Sequence, residues 1–142
     1  MSARLPRTAG LACAATLALA LAATADEGFV MYLDTPEACA ATQDMDYEER
    51  PFRAIHDGGA MLLSPWGMEA VEYYCAFEGE ILLDWSEERR QVRLGYCEEP
   101  GPWIEPKVFV IATGPTEPEV AYVWASGDPV GEPTVFTACR QM

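Results

Sequence analysis

The amino-acid sequence predicts a mainly β fold, an antiparallel sandwich or small barrel of about seven strands with one short N-terminal helix and two disulfides. Three observations carry this. From Val71 to Trp85 the odd positions read Val, Tyr, Cys, Phe, Gly, Ile, Leu, Trp, while the even positions are mostly Glu, Asp or small. That period of two marks extended chain with one face in a core and one in water. Breaks rich in Gly and Pro recur at short intervals after residue 57, as between paired strands. Four cysteines, Cys39, Cys75, Cys97 and Cys139, follow the N-terminal leader, and none forms a CxxC pair.

Residues 1–25 read as a cleaved signal peptide. Arg4 and Arg7 precede an uncharged apolar run from Ala9 to Ala23, and Ala23-Thr24-Ala25 offers small residues at the cleavage positions. The expected mature chain, 26–142, is a single disulfide-stapled β-rich domain. It is large enough for one core and not for two. Phe29 to Leu33 reads as an edge strand or extended arm. Thr35 is placed to cap a short helix, with Pro36 at its first position, Glu37 at the positive end of its dipole and helix formers up to Thr42. The acidic stretch from Gln43 to Arg50 lacks the glycine and closing glutamate of a calcium loop and reads as solvated.

Phe52–His56 and Ala60–Leu63 are expected to be two short strands joined at Asp57-Gly58-Gly59. Ser64-Pro65-Trp66-Gly67 is a turn. The long segment Glu69–Trp85 then follows, bent at Glu78-Gly79-Glu80. After a polar turn over Ser86–Arg90, Val92, Leu94 and Tyr96 alternate with Gln91, Arg93 and Gly95, which predicts that the apolar set faces inward. Strict alternation leaves Cys97 on the polar face, so a bulge at Gly95 is expected to return it to the core. Lys107–Ala112 is apolar on both faces and reads as a central strand covered on both sides. Val120–Ala125 and Thr134–Cys139 complete the set.

The whole chain carries a net charge of −14. Loss of the two leader arginines leaves seven basic against 23 acidic residues, a net of −16. Such a surface repels nucleic acid and anionic lipid, so neither partner is expected, and no membrane association is expected once the leader is removed. Surviving cysteines in an exported chain imply two disulfides and a periplasmic or secreted location. They allow three pairings; Cys75 with Cys97 and Cys39 with Cys139 is favoured, since it would tie neighbouring strands and close nearly the whole chain.

Nothing in the sequence builds a catalytic set. One histidine, His56, lies beside a turn, no GxSxG occurs, and no cofactor is implied. The expected activity is therefore non-catalytic binding of a protein or small ligand, with Trp66 and Trp103, next to Pro and Gly breaks, as the contact surface. A soft-metal site is the alternative: His56, Met61 and Met68 with Trp66 nearby would suit Cu(I). These residue types resemble those of small periplasmic copper chaperones built on a five-stranded barrel.

Several short motifs also resemble a set of small exported disulfide-containing proteins of alphaproteobacteria. They are Thr35-Pro36-Glu37 with Cys39, Tyr73-Tyr74-Cys75, Gly95-Tyr96-Cys97 before a Pro-Gly break and Trp103, and Thr137-Ala138-Cys139-Arg140. That resemblance implies export and brings no activity with it. A second likeness, to periplasmic lysozyme inhibitors built as disulfide-tied β-barrels, implies inhibition of an envelope hydrolase as a further alternative.

Overall fold

A computed structural model describes residues 30–46, 48–127 and 131–140. The expected leader 1–25 and the first residues of the expected mature chain, 26–29, lie outside the described residues. Eight antiparallel strands close into a barrel in which each strand pairs with its neighbours in sequence and the last pairs with the first. They are β1 (Met31–Leu33), β2 (Leu62–Ser64), β3 (Gly67–Ala70), β4 (Tyr73–Phe77), β5 (Arg89–Glu98), β6 (Ile104–Thr113), β7 (Val120–Ala125) and β8 (Thr134–Cys139). Two short helices, α1 (Pro36–Ala41) and α2 (Arg50–His56), fill the connection between β1 and β2. The expected class is thus found, and the described residues hold a second helix and one strand more than expected.

β1 is not an edge. Its Leu33 pairs with Leu62 on one side and with Thr137 on the other, so three residues complete the ring. α1 begins at Pro36 as expected, but Thr35 Oγ1 donates to the Asp34 carboxylate and accepts no capping hydrogen bond from the helix N–H groups. The strand expected at Phe52–His56 is instead α2. Pro51 fits its first turn, Ala54 and Ile55 are buried while Phe52, Arg53 and His56 are exposed, and Arg53 pairs with Asp57 one turn on. Five residues are too few to separate periods of 2 and 3.6. The glycines expected to turn a hairpin stop this helix. The N–H groups of Gly58 and Gly59 turn back onto the carbonyls of Arg53 and Ile55, and Gly59 takes φ 64°, which favours glycine.

The long alternating segment is divided. β3 and β4 form a hairpin whose turn is Val71-Glu72, with Glu72 at φ 58°. Beyond Phe77 the chain remains extended without a ladder. It crosses the barrel end with Ile81 buried, Leu83 and Trp85 packed on the core, and Leu82 and Glu80 in water. Ile81 N–H donates to the Pro65 carbonyl, the Trp85 indole donates to the Val120 carbonyl at 2.7 Å, and the Trp85 ring stacks on Tyr32 at 5.3 Å. The alternation in the sequence is therefore real, but it describes a plug over the barrel mouth instead of half a strand.

Inside, Phe109, Phe136, Ile111, Ala121 and Val123 pack with the Cys75–Cys97 disulfide. Each fully buried large side chain contributes about 1.5–3 kcal/mol. Met31, Leu33, Ala38, Ala54, Ala60 and Cys139 form a second cluster between the helices and the sheet. Cys75 and Cys97 lie directly opposite on β4 and β5. Cys39 joins α1 to β8 through Cys139 across 100 residues, a closure that constrains the unfolded chain by on the order of 4–5 kcal/mol. The favoured pairing is the one found, and two disulfides point to folding in an oxidising, extracytoplasmic environment.

The expected bulge at Gly95 is absent: the ladder runs without interruption from Phe77↔Gly95 to Cys75↔Cys97, and from Leu94↔Val108 to Tyr96↔Pro106. Glycine is needed here for close approach. A Cβ at position 95 would lie 2.1 Å from the Ala76 carbonyl oxygen and 2.9 Å from the Phe109 ring. Gly95→Ala is therefore expected to cost about 2–3 kcal/mol and to lower the thermal midpoint by roughly 10 °C; an unchanged midpoint would show that β4 and β5 can part here at no cost.

Candidate functional site

With no bulge, Cys97 reaches the core because β5 has the opposite facing from the one its composition suggests. Its odd residues, Arg89, Gln91, Arg93, Gly95 and Cys97, turn toward the interior side; Val92, Leu94 and Tyr96 turn outward. Val92 is 60% exposed and Leu94 57%. Most of the polar inward groups are met by the plug and the turn after it, although Arg89 Nε is buried without a hydrogen-bond partner among the described residues. Gln91 accepts from the Leu82 N–H and donates to the Leu82 carbonyl, both at 2.8 Å, so its amide stands in for a strand partner. Arg93 Nη2 donates to the Glu80 carbonyl at 3.0 Å, and Arg89 pairs with Asp84 and Glu87. Asp84 accepts from both the N–H and the hydroxyl of Ser86, which hold its carboxyl below the ordinary carboxylate range, with Arg89 adding to the effect.

The outward face continues across the sheet. β6 is apolar on both faces, as expected, but only one of them is covered. Phe109 and Ile111 fill the barrel, whereas Ile104 and Val108 are exposed. The register sets Val110 between Val92 and Trp124, Leu94 beside Val108, and Tyr96 between Pro106 and Ala76. Trp124 stacks on Tyr122, whose hydroxyl donates to Glu117; that bond raises the phenol above its usual value. At the β5–β6 tip stands Trp103, 71% exposed.

Carboxylates crowd the tip end of this face. Glu69, Tyr74 and Glu98 lie side by side on β3, β4 and β5, with Glu72 and Glu99 completing an open cleft of about 500 Å³. Across the three strands Tyr74 lies between Glu69 and Glu98. Glu105, on the same hairpin, pairs with Lys107 at 3.0 Å. At the far end of β5 the outward residue is Arg90.

The other expected site residues are dispersed. Trp66 is exposed at the β2–β3 turn, at the end of β4 opposite to the tip that carries Trp103, so the two tryptophans do not share a surface. Met68 is buried in the main core, and Met61 packs at the edge of that core. His56 is exposed at the end of α2 with its ring 4.2 Å from Phe52 and is not part of that cluster. Among the described residues no three His, Cys, Asp or Glu side chains converge as a metal site. Comparison with family profiles, with curated proteins and with solved structures finds no match for the chain.

The outer face escaped the reading of β5 because composition gives the polarity of a strand's two sides and not which side has a partner. One signal was available in β6. Where no helix covers the outside of a closed barrel, a strand that is apolar on both faces must expose one of them. Leu94→Ser is expected to change stability by less than about 0.5 kcal/mol, whereas Phe109→Ala is expected to cost about 3–5 kcal/mol; thermal denaturation of the two variants distinguishes this facing from its inverse.

Proposed function

We propose that the chain is a non-catalytic periplasmic or secreted docking protein that engages a partner protein through the outer face of β5, β6 and β7. The observation that carries this is the outward column of Val92, Leu94 and Tyr96 beside Ile104 and Val108, with Trp103 at its tip. From their fractional exposure these side chains present on the order of 600 Å² of surface, at the upper end of what a monomer ordinarily leaves open and approaching one partner's share of a standard interface. Rigid aromatic and aliphatic groups on a stapled sheet lose little freedom on contact, which favours affinity. The acidic tip repels anionic lipid and favours a partner that sets lysine or arginine against Glu98 and Glu99.

A photoreactive benzophenone amino acid at position 94, introduced into the exported protein in its own cell, tests this reading. Position 37, exposed on α1 where the helix packs by β1 and β8, is the control. Covalent adducts are expected from position 94 and not from 37, and their yield is expected to fall as ionic strength is raised. The proposal fails if position 94 gives no adduct.

A further inference from the structure

Away from the docking face, the second disulfide has an unusual neighbour. Arg50 is fully buried, and its Nη2 lies 3.5 Å from Cys139 Sγ. Among the described residues its Nε and Nη1 have no hydrogen-bond partner and no carboxylate pairs with it. A buried guanidinium without an anion carries an uncompensated desolvation cost. A disulfide sulfur accepts hydrogen bonds weakly and bears no charge, so the oxidised protein leaves that cost standing. Reduction of the bond would place an anion where the cation already waits.

We propose that Cys39–Cys139 is an exchange site for an external dithiol, with Cys39 as the sulfur attacked and Cys139 as the thiolate released onto Arg50. The two sulfurs differ in access. Cys39 is partly exposed on α1, and Cys139 is 1% exposed on β8. A thiolate of the reductant attacks Cys39 Sγ, the Sγ–Sγ bond breaks, and its electron pair passes to Cys139 Sγ, leaving a mixed disulfide on Cys39. The reductant's second thiol then attacks its own sulfur in that mixed disulfide. Cys39 leaves as a thiolate and takes up a proton, and the reductant departs as its internal disulfide, so two electrons have moved to the protein. Exchange is faster when the leaving thiol has a low pKa, and an adjacent arginine lowers it. Gln43 Nε2, 3.4 Å from Cys39 Sγ and 3.9 Å from Cys139 Sγ, faces both sulfurs through the exchange.

The other disulfide is an internal control. Cys75 and Cys97 are buried at 0% and 1% exposure, and Cys97 Sγ receives its hydrogen bond from the neutral Tyr73 hydroxyl at 3.4 Å. Opening Cys39–Cys139 would release α1 from β8 and leave the β4–β5 tie in place.

Reduced dithiothreitol is the probe, titrated against the oxidised mature protein, with acid quenching, alkylation and peptide mass spectrometry to assign each cysteine. Cys39 and Cys139 are expected to appear as free thiols at a dithiothreitol concentration at least tenfold below that needed for Cys75 and Cys97. In Arg50→Met the gap is expected to close by about tenfold, and Arg50→Lys is expected to restore most of it. Should Arg50→Met fail to fold, the wild-type protein reduced only at Cys39–Cys139 supplies the second measurement. Its Cys139 is expected to alkylate with a pH midpoint below the ordinary thiol value of about 8.5. Simultaneous opening of both disulfides, prior opening of Cys75–Cys97, or a Cys139 midpoint at or above that value would each overturn the proposal.

Discussion

A closed barrel has one inside, and most of this molecule follows from that. Eight strands share a single interior, filled by Phe109, Phe136, Ile111 and the Cys75–Cys97 bridge. Outside it, among the described residues, only the two helices offer cover, over β8 and β1 to β3, so an apolar residue on the outer side of β5 or β6 must face water or a partner. The β5–β6 hairpin exceeds the capacity of that interior, because its ten-residue strands outrun the five-residue β4. Where β4 stops, the inner side of β5 is met by the crossing segment from Glu80 to Trp85, which supplies backbone groups for Gln91 and Arg93. The polar side of β5 thus becomes the inside, and its apolar side becomes the surface.

The same constraint explains what could be read from the sequence. Period-two alternation, spaced turn residues and an even set of cysteines led to the β class, the strands from β5 onward and both disulfides, since each signal is local or follows from chain chemistry. Failures came where two environments write the same letters. Phe52–His56 alternates as a strand would, yet a proline ahead of it and an aspartate behind it suit a helix of about two turns. Ile81, Leu83 and Trp85 alternate because they are extended and buried on one side, which a plug satisfies as well as a ladder. Facing was the least legible property: whether Val92 and Leu94 or Gln91 and Arg93 point inward depends on a segment some ten residues earlier in the chain.

The candidate surface was legible only at its margin. Trp103 was visible as an aromatic beside a Pro-Gly break, and it marks the tip of the apolar face. Trp66, chosen on the same ground, sits at the opposite end of β4 and belongs to a separate turn. His56, Met61 and Met68 are close in sequence, but the chain between them contains a helix end and a tight β-hairpin, which send the imidazole outward and the Met68 thioether into the core. Proximity in sequence carries spatial meaning within one element and loses it across a turn.

The three residues of β1 bear on how the molecule is made. Met31 pairs with Cys139 and Leu33 with Thr137, so the seam that closes the ring joins the two extremes of the folded chain. Loop-closure entropy must be met before such distant contacts return any stabilisation, which places the fold among slow, topology-limited folders. β4 and β5 can pair and oxidise before β8 is in place, because Cys75 and Cys97 are only 22 positions apart. The seam cannot form until β8 has emerged. During that interval β1 and β7 present open edges, and Cys39 waits unpaired for a cysteine 100 residues downstream. The order of oxidation is thus written into the topology, with the local bridge first and the ring-closing bridge last.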